Sequence, residues 1–518
     1  MKPLKLTLLL TIPLFTASAN WRNEVGWSDL QTWTQEEGVI LPVTNTVFAG
    51  MVEAENGSDK LSIYAPNPSE SEFNDITIND VYGETLTYSG HATGVAKRFF
   101  GNQSSISPDI LQANVYGTNR FLNLIISYPS SWSENVMSHA YIGNFADSID
   151  SETEEVTETK EQKSERFCRA FDYSAAEGNI LHISGANNNS STTLPHIWSH
   201  AYNNITIGRS DGLHSAGTVP SNFHGEKRQK PELVFPATTT SSSTGSCASI
   251  AAVLHAQAQT HDSSLAQQQL TLKSILLAGA DKSKFPNWSN TSTKPIDVLY
   301  GAGEINILNS FRILLAADAQ KNTDVPRYGW DHTSITAAES ITYAFSVPDY
   351  ASSATISANL SWNRTVTRTR SGRNWISSYD SLSNLSLTIT NSSGTPIFVS
   401  DSPYDNLEHI WLENLAPGNY TLEVNMPTGN DTTFALAWRV DLKTNAPPQL
   451  TINQSGDYQI QFSQLSPNHT YRIERSNNLI DWFTLTTSQS DAQGSLLYSE
   501  PSPLPSSQNF YRLRYFSP

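Results

Sequence analysis

Three kinds of side chain that together perform acyl transfer stand far apart in this chain: a serine, a histidine and a carboxylate. Residues 241–261 read SSSTGSCASIAAVLHAQAQTH, where a Ser- and Thr-rich run ends at Gly245-Ser246 and a small-residue, apolar stretch follows. That pattern predicts a flexible loop feeding the start of a buried helix. A serine placed there, Ser246, has free backbone N–H groups and a helix dipole beside it, both of which favour negative charge. A nucleophile belongs in such a place, because the carbonyl it attacks becomes an oxyanion. The plainer alternative is that Ser246 only caps the helix. His91 lies in SGHATGVA, on a small-residue surface at the start of a second helix, where a lone histidine is often structural. Glu53 closes TVFAGMVE, residues 46–53, an apolar strand followed by the turn Glu55-Asn56-Gly57. Ligands of α/β sheets gather at such strand ends. Cys247 is a rival nucleophile, but neighbouring residues of a helix point about 100° apart, so only one of the pair faces a given substrate.

The elements that must position these residues alternate over roughly the first 300 positions. Strands are expected at 121–127, 135–138, 179–183, 204–208 and 231–236, and helices at 166–177 and 265–277. Residues 147–161 form an acidic run, read as a solvated loop. Past Asp324 the helical pattern fades into alternating strands with Asn, Ser, Gly and Pro turns, a β-sandwich signature. Ala446-Pro447-Pro448 reads as a linker to a smaller β unit.

The chain has 518 residues, a formal net charge of −17 and 16% charged residues. The acidity argues against a nucleic-acid partner. Lys2, Lys5, the apolar run 6–15 and Ala17-Ser18-Ala19 make residues 1–19 a secretory signal peptide, and the chain is expected outside the cytoplasm. No other stretch reads as a membrane span. Cys168 and Cys247 read as buried apolar residues rather than a disulfide framework.

Several separated motifs, in one order, resemble the subtilisin-like serine proteases. His91-Ala92-Thr93-Gly94-Val95-Ala96 is similar to the family's histidine motif, and Thr244-Gly245-Ser246-Cys247-Ala248-Ser249 to its serine motif. Lys230-Pro231-Glu232-Leu233-Val234-Phe235-Pro236 resembles the stretch that precedes it, and Tyr300-Gly301-Ala302-Gly303-Glu304-Ile305-Asn306 the closing motif. The resemblance spans roughly residues 40–320, a domain-sized unit. It implies a parallel α/β sheet flanked by helices, and an exported endopeptidase acting on peptide or protein substrates, with no cofactor needed for its chemistry. It assigns Ser246 as nucleophile, His91 as general base and Asn187 as oxyanion donor, with Asn188 as the register-shifted alternative. The family's aspartate is missing; Glu53 takes its place, or Glu55 in a shifted register. Residues 135–139 resemble the edge strand that pairs with a bound peptide. Family members often carry structural Ca²⁺, whose ligands this sequence does not name.

The expected organisation is a signal peptide (1–19), a peptidase domain (20–322), a β-sandwich (323–445) and a small β-sandwich (446–518). Residues 325–443 resemble sandwich domains that follow secreted bacterial proteases. Trp362 and Trp375 there read as core, or as contacts for glycan or protein. Two other functions stay open: a pseudoprotease that kept the fold and lost turnover, and an adhesion protein acting through its β domains. A Gly-x-Ser-x-Gly esterase is disfavoured by the surroundings of Ser246. The His196/His200 pair lacks the intervening Glu of a zinc-protease motif.

Overall fold

The computed structural model describes residues 21–54, 62–81, 83, 85–127, 132–316, 318–349, 351–371, 374–444, 449–455, 457–465, 468–501 and 509–515. The expected signal peptide and Glu55 lie outside the described residues.

Seven strands, β1 (Ala49–Glu53), β2 (Thr77–Asp80), β3 (Gln112–Gly117), β4 (Val136–His139), β5 (Leu181–Gly185), β6 (Ile205–Arg209) and β7 (Leu233–Phe235), form one sheet in the order β7-β6-β5-β4-β1-β3-β2. Every pairing in it is parallel. A parallel sheet must be covered on both faces, which is why β1, β4 and β5 are buried at every position. The covering helices are α1 (Trp27–Glu37), α2 (Gly90–Phe100), α3 (Thr118–Ser127), α4 (Lys160–Glu177), α5 (Thr240–Ala258), α6 (Gln269–Gly279) and α7 (Ile307–Leu315). Met51 of β1 joins the core under α2, α5, α6 and α7, whereas its neighbour Val52 joins Phe121 of α3 and Phe171 of α4 on the opposite face. From β1 the chain passes to β2 at the edge, comes back to β3 beside β1, and then adds β4 on the other side of β1. That reversal opens a crevice at the C-terminal ends of β1 and β4, where open α/β sheets bind ligands.

Two expectations are corrected here. Residues 121–127 are helical, because Phe121, Leu122, Leu124 and Ile125 bury one face at i, i+1, i+3 and i+4. The strand is the less apolar QANVYG just before them. Residues 135–139 do not form an edge: β4 is hydrogen-bonded to β1 on one side and β5 on the other, which leaves no free ladder for a peptide.

Beyond Asn322, β8 (Tyr328–Ile335), β9 (Glu339–Val347), β10 (Ala351–Trp362), β11 (Ser386–Asn391), β12 (Pro396–Ser400), β13 (Leu407–Leu415), β14 (Gly418–Met426) and β15 (Thr432–Thr444) stack as two sheets. One runs β8-β15-β10-β13; the other contains β9-β14-β11-β12. Trp362 is fully buried between them and is core, not a ligand platform. Trp375 sits half-buried on a hairpin, with the Arg368 guanidinium 5.8 Å from its ring. The sandwich is sewn to the α/β part through α6: Ser274 Oγ donates to Asn359 O at 2.7 Å, and Thr271 Oγ1 meets His332 Nδ1 at 2.7 Å. Residues 449–515 add two three-stranded sheets. Cys168 and Cys247 are both buried and unpaired. Among the described residues no helix is long and apolar enough to cross a membrane. Among the described residues no three His, Cys, Asp or Glu side chains gather into a metal-binding set.

Candidate active site

The strand β1 ends on Glu53, whose side chain is buried and whose carbonyl accepts from Thr118 Oγ1 at 2.9 Å. His91 is the second residue of α2, a helix capped by Ser89, whose Oγ accepts from Ala92 N at 3.0 Å. The imidazole reaches over the end of β1, so that its Nδ1 lies 3.0 Å from Glu53 Oε2. Its other nitrogen, Nε2, lies 3.0 Å from the Oγ of Ser241. The carboxylate at Nδ1 fixes the proton on that nitrogen, leaving Nε2 as the acceptor for the Ser241 hydroxyl. Ser241 Oγ is also 3.4 Å from Ala140 O, the carbonyl just past β4. The three side chains therefore meet in the crevice that the sheet topology opens.

Ser246 is not at this place, and its expected role is corrected. The helix α5 starts at Thr240, six residues earlier than the sequence suggests, with Thr239 as N-cap. Five residues beyond Ser241, Ser246 is about 7.5 Å further along the axis and about 140° round it. It is fully buried, and its Oγ has no hydrogen-bond partner. The Gly245-Ser246 pair serves packing instead. A Cβ on Gly245 would stand 2.7 Å from Val95 O of α2, so the glycine lets the two helices that carry Ser241 and His91 close on each other. Cys247 is equally buried, and burial pushes its thiol pKa up, which removes it as a rival.

The first amides of α5 need acceptors from outside the helix. Thr240 N donates to Asn188 Oδ1 at 2.6 Å, and Thr240 Oγ1 meets the same oxygen at 3.1 Å. Ser242 N donates to Thr239 Oγ1 at 3.1 Å, and Ser243 N to Thr239 O at 3.0 Å. Among the described residues only the Ser241 N–H in this turn has no acceptor. Asn188, anchored through Oδ1 to the residue before Ser241, keeps its Nδ2 hydrogens free. Asn187 instead locks its backbone to Ser215, through N to Oγ and from its O to Ser215 N, both at 2.9 Å. Of the two asparagines read from the sequence, Asn188 is thus the one tied to the serine helix.

The electrostatics follow from burial. The hydrogen bond to Glu53 raises the His91 pKa above its usual 6.5, against a smaller opposing effect of burial. Burial raises the Glu53 pKa, opposed by its hydrogen bond and charge contact with His91. Glu53 Oε1 is buried without a partner. The N-cap of α5 gives a direct test of how the site is held: Thr239→Ala is expected to cost about 1 kcal/mol of stability, read by urea denaturation, because it orphans the Ser242 amide one residue from Ser241.

The structure brings together Glu53 and His91, both singled out in the sequence, with Ser241, which the sequence reading did not single out. The available signal was Thr239, a cap residue preceding a run of small residues that can bury as a helix. No family model matches the chain, and no curated protein matches it. Among solved structures it is similar to a cold adapted subtilisin-like serine proteinase, at 16% identity over 51% of this chain and 88% of that one, with a TM-score of 0.32. It is similar to fervidolysin from Fervidobacterium pennivorans, a keratinolytic enzyme related to subtilisin, at 11% identity over 90% and 68% of the two chains, with a TM-score of 0.37. It is also similar to tripeptidyl peptidase 2, at 9% identity over 79% of this chain but only 50% of that one, with a TM-score of 0.29. Likenesses this distant lend no weight to individual residues; the site stands on its own contacts.

Proposed function

We propose that this chain is an exported serine endopeptidase in which Ser241 is the nucleophile, His91 the general base and Glu53 the group that orients it. The observation that carries the reading is one imidazole bridging a buried carboxylate and a helix-start serine, 3.0 Å on each side. Ser241 Oγ attacks the substrate carbonyl as His91 Nε2 takes its proton. The oxyanion is received by the free Ser241 N–H and by Asn188 Nδ2. The leaving amine departs with the proton from His91, and water then cleaves the acyl-enzyme by the same steps in the same site. Donors already held in place and aimed at the developing charge stabilise that oxyanion without the reorganisation that water needs. Export rests on the leader pattern of residues 1–19, and peptides as substrates rest on the resemblance of the motifs.

A second reading is a catalytically silent fold that binds rather than cleaves. The observation on its side is Glu53, whose unpartnered Oε1 and raised pKa weaken it as an anionic partner for an imidazolium. The two readings separate on labelling of the purified protein by a fluorophosphonate probe, with the modified peptide located by mass spectrometry. Adduct on Ser241 supports the peptidase; a folded protein without adduct supports the silent fold.

The pH profile tests the role of Glu53. The base must be neutral to accept a proton, so kcat/KM should rise with pH through the His91 pKa. Because Glu53 raises that pKa, the acid limb should lie above pH 6.5. Glu53→Gln removes the raising partner, so the limb should move to lower pH while the plateau falls by about 10,000-fold. An unshifted limb in Glu53→Gln would exclude Glu53 as the orienting group. Glu53→Asp draws the carboxylate back by about one C–C bond from a contact already at hydrogen-bond length, so it too should lose turnover.

A further inference from the structure

Directly beside His91 on α2 lies a cavity of about 360 Å³, lined by Asn67, Glu70, Tyr88, Gly90, Gly94 and Lys97, with Ser89 and Thr93 completing its wall. Gly90 precedes His91 in the chain and Gly94 follows it by three residues, so the cavity lies along the first turns of the helix that carries the proposed catalytic imidazole. Two features open it. A Cβ on either Gly90 or Gly94 would meet nothing within 4 Å. The turn at Asn67–Glu70 is pinned back on α2, with Asn67 N donating to Thr93 Oγ1 at 3.0 Å and Lys97 Nζ pairing with Glu70 Oε2 at 2.7 Å.

The lining decides what fits. Several of its polar groups are already engaged: Asn67 Oδ1 accepts from Ser69 N at 3.1 Å, Ser89 Oγ from Ala92 N at 3.0 Å, and Glu70 pairs with Lys97 at 2.7 Å. The wall thus offers a visiting side chain no unpaired formal charge. It offers the bare backbone of two glycines and the ring of Tyr88, which is 54% exposed at the rim. A charged group entering would give up water without gaining an unpaired partner, whereas an apolar or aromatic one gains burial and ring contact.

We propose that this cavity is a substrate subsite for a bulky uncharged side chain, aromatic above all, on a residue close to the cleaved bond. The proposal rests on the reading of Ser241 and His91 as the catalytic pair. It makes Gly94 and Tyr88 specificity-determining residues rather than catalytic ones.

The test uses the full chain and fluorogenic peptides in which Phe, Ala, Arg and Asp are exchanged at each position within a few residues of the cleaved bond. The parent should favour Phe over Ala by about tenfold or more in kcat/KM at one position and disfavour Arg and Asp there. Gly94→Leu fills the cavity with a better helix former, so folding is not threatened. It should bring the Phe-to-Ala ratio at that position close to one, and Tyr88→Ala should lower it part of the way. Fluorophosphonate labelling of Ser241 in each variant separates the outcomes. Absence of labelling in the parent overturns the catalytic reading and this subsite with it. Labelling with a Phe-to-Ala ratio that survives Gly94→Leu, or with Arg or Asp preferred, overturns the subsite alone.

Discussion

Ser241→Ala is expected to abolish fluorophosphonate labelling and to cut turnover by on the order of 10⁵-fold, while Ser246→Ala labels and turns over like the parent. The contrast is sharp because the two serines share a helix and differ only in where it points them. Ser241 stands in the first turn of α5, where its Oγ meets His91 and its N–H is free. Ser246 is fully buried with an unpartnered Oγ. Removing a buried hydroxyl that bonds to nothing lifts a desolvation cost, so Ser246→Ala should leave stability unchanged or raise it by up to about 1 kcal/mol. Steady-state kinetics, intact-mass labelling and urea denaturation on the two variants suffice. Labelling lost in Ser246→Ala and kept in Ser241→Ala would overturn the assignment.

That the sequence singles out the histidine and acid that meet in the structure, but a serine that is buried away from them, has a physical cause. Glu53 and His91 are marked by their own neighbours: an apolar strand that stops at an acid, and a histidine flanked by Gly, Ala and Thr at a helix start. The serine is one of several in SSSTGS, and choosing among them requires knowing where the helix begins. Ser and Thr are weak helix formers, so the run looks like a loop. It is helical because small side chains let α5 lie close on β5 and α2: a Cβ on Gly185 of β5 would come within 2.9 Å of Thr244 Oγ1, as one on Gly245 would approach Val95 O. Tertiary packing overrides propensity, and no local pattern reports it. The same holds for α3, whose apolar run is too short for its period to be read with certainty. The sandwich is easier: along β9 buried and less buried positions alternate in strict order, which is the period a half-covered strand writes into its sequence.

Glu232→Gln should cost about 3–5 kcal/mol, a large part of the roughly 5–15 kcal/mol that holds a domain folded. Glu232 stands just before β7, the strand that leads into α5, and is wholly buried. Its Oε2 accepts from Thr206 N at 2.8 Å; its Oε1 pairs with Lys230 and lies 3.4 Å from Arg228. Burial alone would raise its pKa, but the charges of Lys230, Lys273 and Arg228 outweigh it and hold the carboxyl below its usual value. Its charged form therefore stabilises the fold, and glutamine keeps the shape while leaving those cations short of one anion. Burial has already brought Lys230 down to about 8 and Lys273 to about 7. These folded values lie below the unfolded value near 10.4, so between them the folded state binds fewer protons and stability gains as pH rises. Without Glu232 both values should fall further. The deficit of Glu232→Gln against the parent should accordingly be greatest below pH 7, where the parent's lysines are charged and paired, and narrow above pH 8, where they are neutral in both proteins. Urea midpoints of the two proteins from pH 6 to 9 read this directly, and a deficit independent of pH would mean that the cost is packing rather than charge. The cluster also reaches the sandwich, since Arg228 Nε lies 3.5 Å from Asp405 Oδ1 in the segment between β12 and β13. Loss of Glu232 thus loosens at once the entry to the helix that carries Ser241 and the seam that joins the two parts of the molecule.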